Sequence, residues 1–216
     1  MTDPAESREM EVQRHGIMFL LSTLGITIAG FFATMFYAHW VGAEVLGSYF
    51  LFLSYFGILS LFSDSGIEYA GVKRISEGKD PDAFFTAGLG LRLMAYALTI
   101  SVLVLFRDRF VDLNQAGLFW PLIVVVGIGI LNSQIGTSIA ACNRLGLAAS
   151  TSLLNNLSRI GIQVILVFLG FQVFGLIGGL VAGILIQIAI EFRFVDLHLS
   201  RFTWCHIKNI FTYSIW

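Results

Sequence analysis

The sequence predicts an all-α membrane protein, a bundle of six transmembrane helices. Three observations carry that prediction. Of 216 residues, 56% are hydrophobic and only 12% charged, with mean hydropathy +0.82. A soluble domain carries about 25% charged residues, and a chain this small has too much surface to hide so much apolar area. The apolar residues also fall in six runs, roughly 16–41, 46–72, 84–106, 118–142, 151–170 and 172–192, each near the ~20 residues that cross a bilayer. The cations, finally, are sorted by side. With the N-terminus inside, the inner segments hold Arg8, Arg14, Lys73, Arg74, Lys79, Arg144, Arg193, Arg201 and Lys208, and the outer loops hold Arg107 and Arg109. A barrel would show short alternating strands instead.

Residues 1–15 read as a cytoplasmic N-terminal segment. They mix Asp3, Glu6, Glu9 and Glu11 with Arg8 and Arg14, a poor secretory n-region, so the first helix is read as retained. That helix leaves the membrane at His39-Trp40-Val41-Gly42-Ala43-Glu44, with Trp40 as an interfacial anchor. The second run closes at Lys73 and Arg74, before the loop signal Gly78-Lys79-Asp80-Pro81. The third ends at Arg107-Asp108-Arg109. The fourth opens at Trp120-Pro121, where proline is tolerated in a first turn, and ends at Asn143-Arg144. A tight turn around Gly170 and Gln172 joins the fifth and sixth. Residues 16–206 thus form the six-helix unit, and 207–216 read as the start of a truncated seventh helix.

Few groups can carry chemistry. There is no P-loop, HExxH or nucleophile elbow, so the chain reads as a non-enzyme without a cofactor. His15, His39, His198 and His206 are too scattered for a metal site, and Cys142 and Cys205 read as reduced structural thiols. Near-zero net charge points away from nucleic acid. The informative residues are ionisable groups inside apolar runs, which are costly and usually face a bundle interior or a wet path. Arg92 and Arg159 each lie about eight residues into their runs, roughly 12 Å deep. Asn155, Arg159 and Gln163 share one helix face, extended by Ser152 and Asn156. Weaker polar stripes are Thr23, Thr27, Gly30 and Thr34, and Asn132, Ser133, Gln134 and Thr137.

Two readings stand side by side. Small and hydroxyl residues in membrane helices often serve only packing, and the arginines can pair with Asp64 or Glu68. Alternatively, two unpaired cations in a polar path suit an anion, and arginine's fork of donors suits a phosphate. Asp64 and Glu68, at i and i+4, read as an ion pair or gate. Glu191 reads as interfacial.

The stretch from Tyr37 to Glu77, "YAHWVGAEVLGSYFLFLSYFGILSLFSDSGIEYAGVKRISE", resembles the N-terminal segment of Wzx-type polysaccharide biosynthesis proteins, oligosaccharide flippases of the MATE-like MOP superfamily. "ACNRLGLAASTSLLNNLSRIGIQVILVFLG" and "FGLIGGLVAGILIQ" resemble that family's fourth-to-sixth helix region, and "IKNIFTYSIW" the start of its seventh helix. The resemblance implies one lobe of a plasma-membrane transporter that flips an isoprenoid-linked oligosaccharide by alternating access. A C-terminal lobe or a second subunit would complete it. With the polar faces above, this gives the expectation that Arg92 and Arg159 contact the pyrophosphate, that Asn155 and Gln163 hydrogen-bond phosphate or sugar, and that Asp64 and Glu68 form a cytoplasmic gate. The alternatives are a MATE-type ion-coupled drug exporter, disfavoured by a first helix that is neutral from Gly16 to Tyr37, and an inactive truncated lobe. A membrane enzyme acting on lipid phosphates would need clustered acids or histidines, which are missing.

Overall fold

The computed structural model describes the backbone of residues 4–214 except Ser65 and Asp196. Side chains are described from Thr23 to Tyr213, except those two and Leu145. The described residues form α-helices joined by short turns, without strands. They are α1 (Pro4–Asp64), α2 (Ile67–Ser76), α3 (Pro81–Leu105), α4 (Val111–Gln115), α5 (Phe119–Ala141), α6 (Leu145–Phe168), α7 (Gln172–Glu191) and α8 (Trp204–Ser214). Among the described residues, five helices are long and apolar enough to cross a membrane. Large apolar side chains such as Leu61, Leu98 and Leu105 stand on the surface, where lipid rather than water satisfies them. The chain is a multi-pass membrane protein.

The expected exit between the first two runs is reduced to a single residue. Gly42 has φ 83° and ψ 166°, a conformation that L side chains rarely adopt. It divides α1 into two limbs. Its membrane-spanning stretch with described side chains, Thr23–Asp64, has 42 residues. At about 1.5 Å per residue, that is about twice the ~30 Å hydrocarbon core, so a straight rod would overshoot. The limbs meet again at Gln163 of α6. Its Oε1 accepts from the Tyr37 hydroxyl at 3.1 Å, and its Nε2 donates to the Tyr49 hydroxyl at 2.9 Å.

The run expected as one helix over 46–72 is interrupted after Asp64. Gly66 is left-handed, with φ 75°, and α2 starts anew at Ile67. Glu68 then lies in the first turn and Lys73 and Arg74 in the last, each sign at the end of the helix dipole that favours it. The seventh run, expected from Ile207, starts at Trp204 as α8; residues 215 and 216 lie outside the described residues. Of the expected N-terminal segment, residues 4–15 are helical backbone continuous with α1, and residues 1–3 and all its side chains lie outside the described residues.

Two apolar clusters hold the bundle. The larger joins both limbs of α1 to α5, α6 and α7 through Phe52, Leu122, Val125, Val167 and Leu176. The smaller joins α2, α3 and α8 through Ala70, Phe85, Leu91 and Ile210. Without a hydrophobic drive between helices in lipid, close approach supplies the energy. The α6–α7 pair uses it most. Gly175, Gly179 and Gly183 form a ridge at i, i+4 and i+8, and a Cβ on Gly179 would stand 2.3 Å from Gln163 Cγ and 2.8 Å from the Gln163 backbone nitrogen.

Candidate functional site

Two polar clusters are embedded in the bundle. The first surrounds Arg92, which is only 1% exposed. Its Nε donates to Asp64 Oδ1 at 2.9 Å, and Nη2 stands 2.8 Å from the same oxygen. Nη1 donates to Gln134 Oε1 at 2.7 Å and Nη2 to Thr137 Oγ1 at 3.1 Å. Gln134 is oriented in turn, because its Nε2 donates to the Phe85 carbonyl at 2.8 Å. Ser133, one residue back on α5, donates to Glu68 Oε2 at 3.2 Å. The interruption at Gly66 allows this arrangement: α1 ends where Asp64 reaches α3, and α2 restarts so that Glu68 faces α5. The expectation of two unpaired cations is therefore corrected for Arg92. Its charge is answered by Asp64, and two more of its N–H donors by the neutral acceptors Gln134 and Thr137, which offsets much of the desolvation of a guanidinium.

The second cluster lies between α6 and α7. Gln163 is buried, and its amide is fully engaged. Besides the two tyrosines, it donates to the Leu176 carbonyl at 2.6 Å. It clasps both limbs of α1 to α6 and α7. One turn back on the helix, Arg159 is half-buried. Its Nη2 donates to Asn156 Oδ1 at 3.1 Å, while Nε has no partner. No carboxylate among the described residues lies within ion-pair distance of it. Asn155 donates through Nδ2 to Gln187 Oε1 of α7. Glu191, expected at an interface, is instead buried at 1% exposure against Thr151 and Gln187.

The two arginines differ in position along their helices as well as in pairing. The runs suggested equal depths, but α3 begins at Pro81 and α6 at Leu145. Arg92 is thus about 16 Å along its helix and Arg159 about 21 Å along its own. The structure brings Arg92, Asp64, Gln134 and Thr137 together, with Glu68 at the edge, and groups Asn155 with Arg159 beside Gly183. Gln187 and Glu191 were missed as site residues. Their signal was an i, i+4 polar pair inside the most apolar helix. Tyr37 and Tyr49 had no signal beyond their hydroxyls.

A cleft of about 590 Å³ lies apart from both clusters, between the second limb of α1 and α3. Leu59, Phe62, Leu98, Val102 and Phe106 line it, so it is apolar. Among the described residues, no group of three or more His, Cys, Asp or Glu is arranged to hold a metal ion. Cys142 and Cys205 are free.

No family model and no solved structure matches the chain. A curated protein of Haloferax volcanii, named probable low-salt glycan biosynthesis flippase Agl15, is 26% identical over 206 residues. The match covers 95% of this chain and 43% of that relative, so the chain spans less than half the relative's length.

Proposed function

We propose that the chain forms one lobe of a transporter that flips a lipid-linked oligosaccharide across a membrane during glycan biosynthesis. The observation that carries this reading is the match along 95% of the chain to a relative named as a glycan biosynthesis flippase. The resemblance of the Tyr37–Glu77 stretch to Wzx-type flippases points the same way, as does the lack of enzyme motifs. In this reading α1 crosses twice, bending at Gly42, so that six spans make the lobe. The N-terminus is cytoplasmic, as the cation distribution favours, and the membrane is the plasma membrane. A second lobe or subunit closes the path around an isoprenoid-linked, phosphate-bearing glycan.

Arg159 is the anion contact. It keeps guanidinium donors that no described carboxylate occupies, on a face shared with Asn155 and Asn156. Arg92, Asn155 and Gln163, expected beside it at the substrate, spend their donors inside the protein and act by holding the path in shape. Asp64 and Glu68 form the gate, fastened when Asp64 holds Arg92.

Replacing Arg159 by Ala removes charge-assisted hydrogen bonds to phosphate, worth about 1.5–3 kcal/mol, or roughly 10- to 100-fold in transport. Surface glycan in the native host falls accordingly, with the amount of protein in the membrane unchanged. Unaltered glycan in that variant overturns the assignment.

A further inference from the structure

Glu191 has a one-sided environment. It is 1% exposed, its Oε2 has no hydrogen-bond partner, and its Oε1 accepts from the Thr151 hydroxyl and, at 2.9 Å, from Gln187 Nε2. A carboxylate oxygen accepts, so Gln187 must turn its NH2 toward Glu191. Gln187 Oε1 then points the other way and accepts from Asn155 Nδ2. That leaves the Asn155 oxygen over Gly183. A Cβ placed there would stand 2.9 Å from Asn155 Oδ1 and 3.0 Å from Arg159 Cβ. A one-way chain of side chains, Glu191 to Gln187 to Asn155, therefore ends beside the stem of Arg159.

We propose that Glu191 is a positioning residue for Arg159. Its acceptor-only carboxylate sets the direction of both amides, so that the negative end of the last amide dipole rests near the Cβ of Arg159. The proposal rests on Arg159 being the anion contact. Its physical point is separation. A carboxylate placed directly against Arg159 would favour the cation but occupy its donors and compete with an incoming anion. Acting through two amides, Glu191 supports the cation and leaves those donors free. Reversed amides would turn the Asn155 NH2 toward the stem of Arg159, replacing the negative end of a dipole by its positive end and weakening the cation as an anion site.

The test uses inorganic pyrophosphate as the probe, with binding to the full chain in lipid nanodiscs followed by calorimetry. Glu191→Gln leaves the amide direction undetermined and is expected to weaken binding about threefold, a modest dipole effect. The exchange Gln187→Glu with Glu191→Gln keeps one acceptor-only group in the chain and keeps Asn155 as donor, so binding returns to the native value. Thr151→Val removes the other donor on Glu191 without touching the amides. It lowers the unfolding temperature and leaves binding unaltered. Native affinity in Glu191→Gln overturns the proposal while Arg159→Ala still abolishes binding. Failure of the exchange to restore binding also overturns it, as does an equal loss in Thr151→Val. If Glu191→Gln does not fold, the exchange and Thr151→Val decide alone. A native chain that does not bind pyrophosphate overturns the Arg159 assignment, and the proposal falls with it.

Discussion

Arg92 of α3 is enclosed on every side, whereas Arg159 of α6 keeps part of its surface and an unpartnered Nε. Both are arginines deep in apolar helices, and both are costly there. Arg92 recovers that cost by an ion pair with Asp64 and by neutral acceptors from α5. Arg159 recovers less, since its Nη2 donates to the neutral Asn156 amide and it sits on a helix pair fastened by other means. The difference teaches that depth alone does not mark a functional cation. Depth is shared by an arginine whose donors are committed inside the protein and one whose donors are not.

Substitutions can break that contrast or sharpen it. The largest effect is expected from Asp64→Ala, which strands a buried charge. Losing one partner of such a pair costs about 3–5 kcal/mol, readable as a large drop in the thermal unfolding midpoint of detergent-solubilised protein. Replacing both members, Asp64→Leu with Arg92→Met, should cost clearly less in the same assay, because no unpaired charge remains. If the single and double variants lose equally, Arg92 is not held chiefly by Asp64.

Gly179→Ala attacks the support beneath the other arginine. Its Cβ would meet Gln163 at 2.3 Å, including backbone at 2.8 Å, so α6 and α7 must separate. Overpacking of this kind costs about 1–3 kcal/mol. Chemical denaturation would measure it, and an unshifted midpoint would contradict the close approach. Thr137→Val removes one acceptor from Arg92 and is expected to cost about 1–2 kcal/mol. Arg159→Ala should change stability least, by about 1 kcal/mol or less, since it breaks a half-exposed hydrogen bond. A loss as large as that of Asp64→Ala would place both arginines in one class.

Much of the fold was legible. Apolar run lengths and polar punctuation located the long helices, because lipid imposes a length that sequence must obey. The turn at Gly42 was legible as a boundary but not as a one-residue corner, since the left-handed φ belongs to the backbone and not to the letters around it. The interruption at Gly66 carries a local signal in Ser63-Asp64-Ser65-Gly66, but Ile67, Tyr69, Ala70 and Val72 let the apolar pattern run on past it. For the candidate site, the face carrying Asn155, Arg159 and Gln163 followed from helical spacing. What each does there depended on groups far along the chain: Asp64 for Arg92, Tyr37 and Tyr49 for Gln163, and Gln187 for Asn155. One-dimensional spacing carries local neighbours only. A choice between internal partner and external ligand is made by neighbours across the bundle.

The break after Asp64 also divides the molecule mechanically. By covalent order α2 continues α1, yet its apolar side chains are seated with those of α3 and α8. Lys73 and Arg74 lie against the ring of Tyr213 on α8 as well. The position of α2 is therefore set by the helices it packs on, α3, α5 and α8, more than by the chain before it, which reaches it through a glycine joint instead of a rigid rod. Asp64 and Arg92 fasten the last residue of α1 to α3 beside that break, so the cluster of α2, α3 and α8 hangs from α1 by an ion pair as well as by the chain itself.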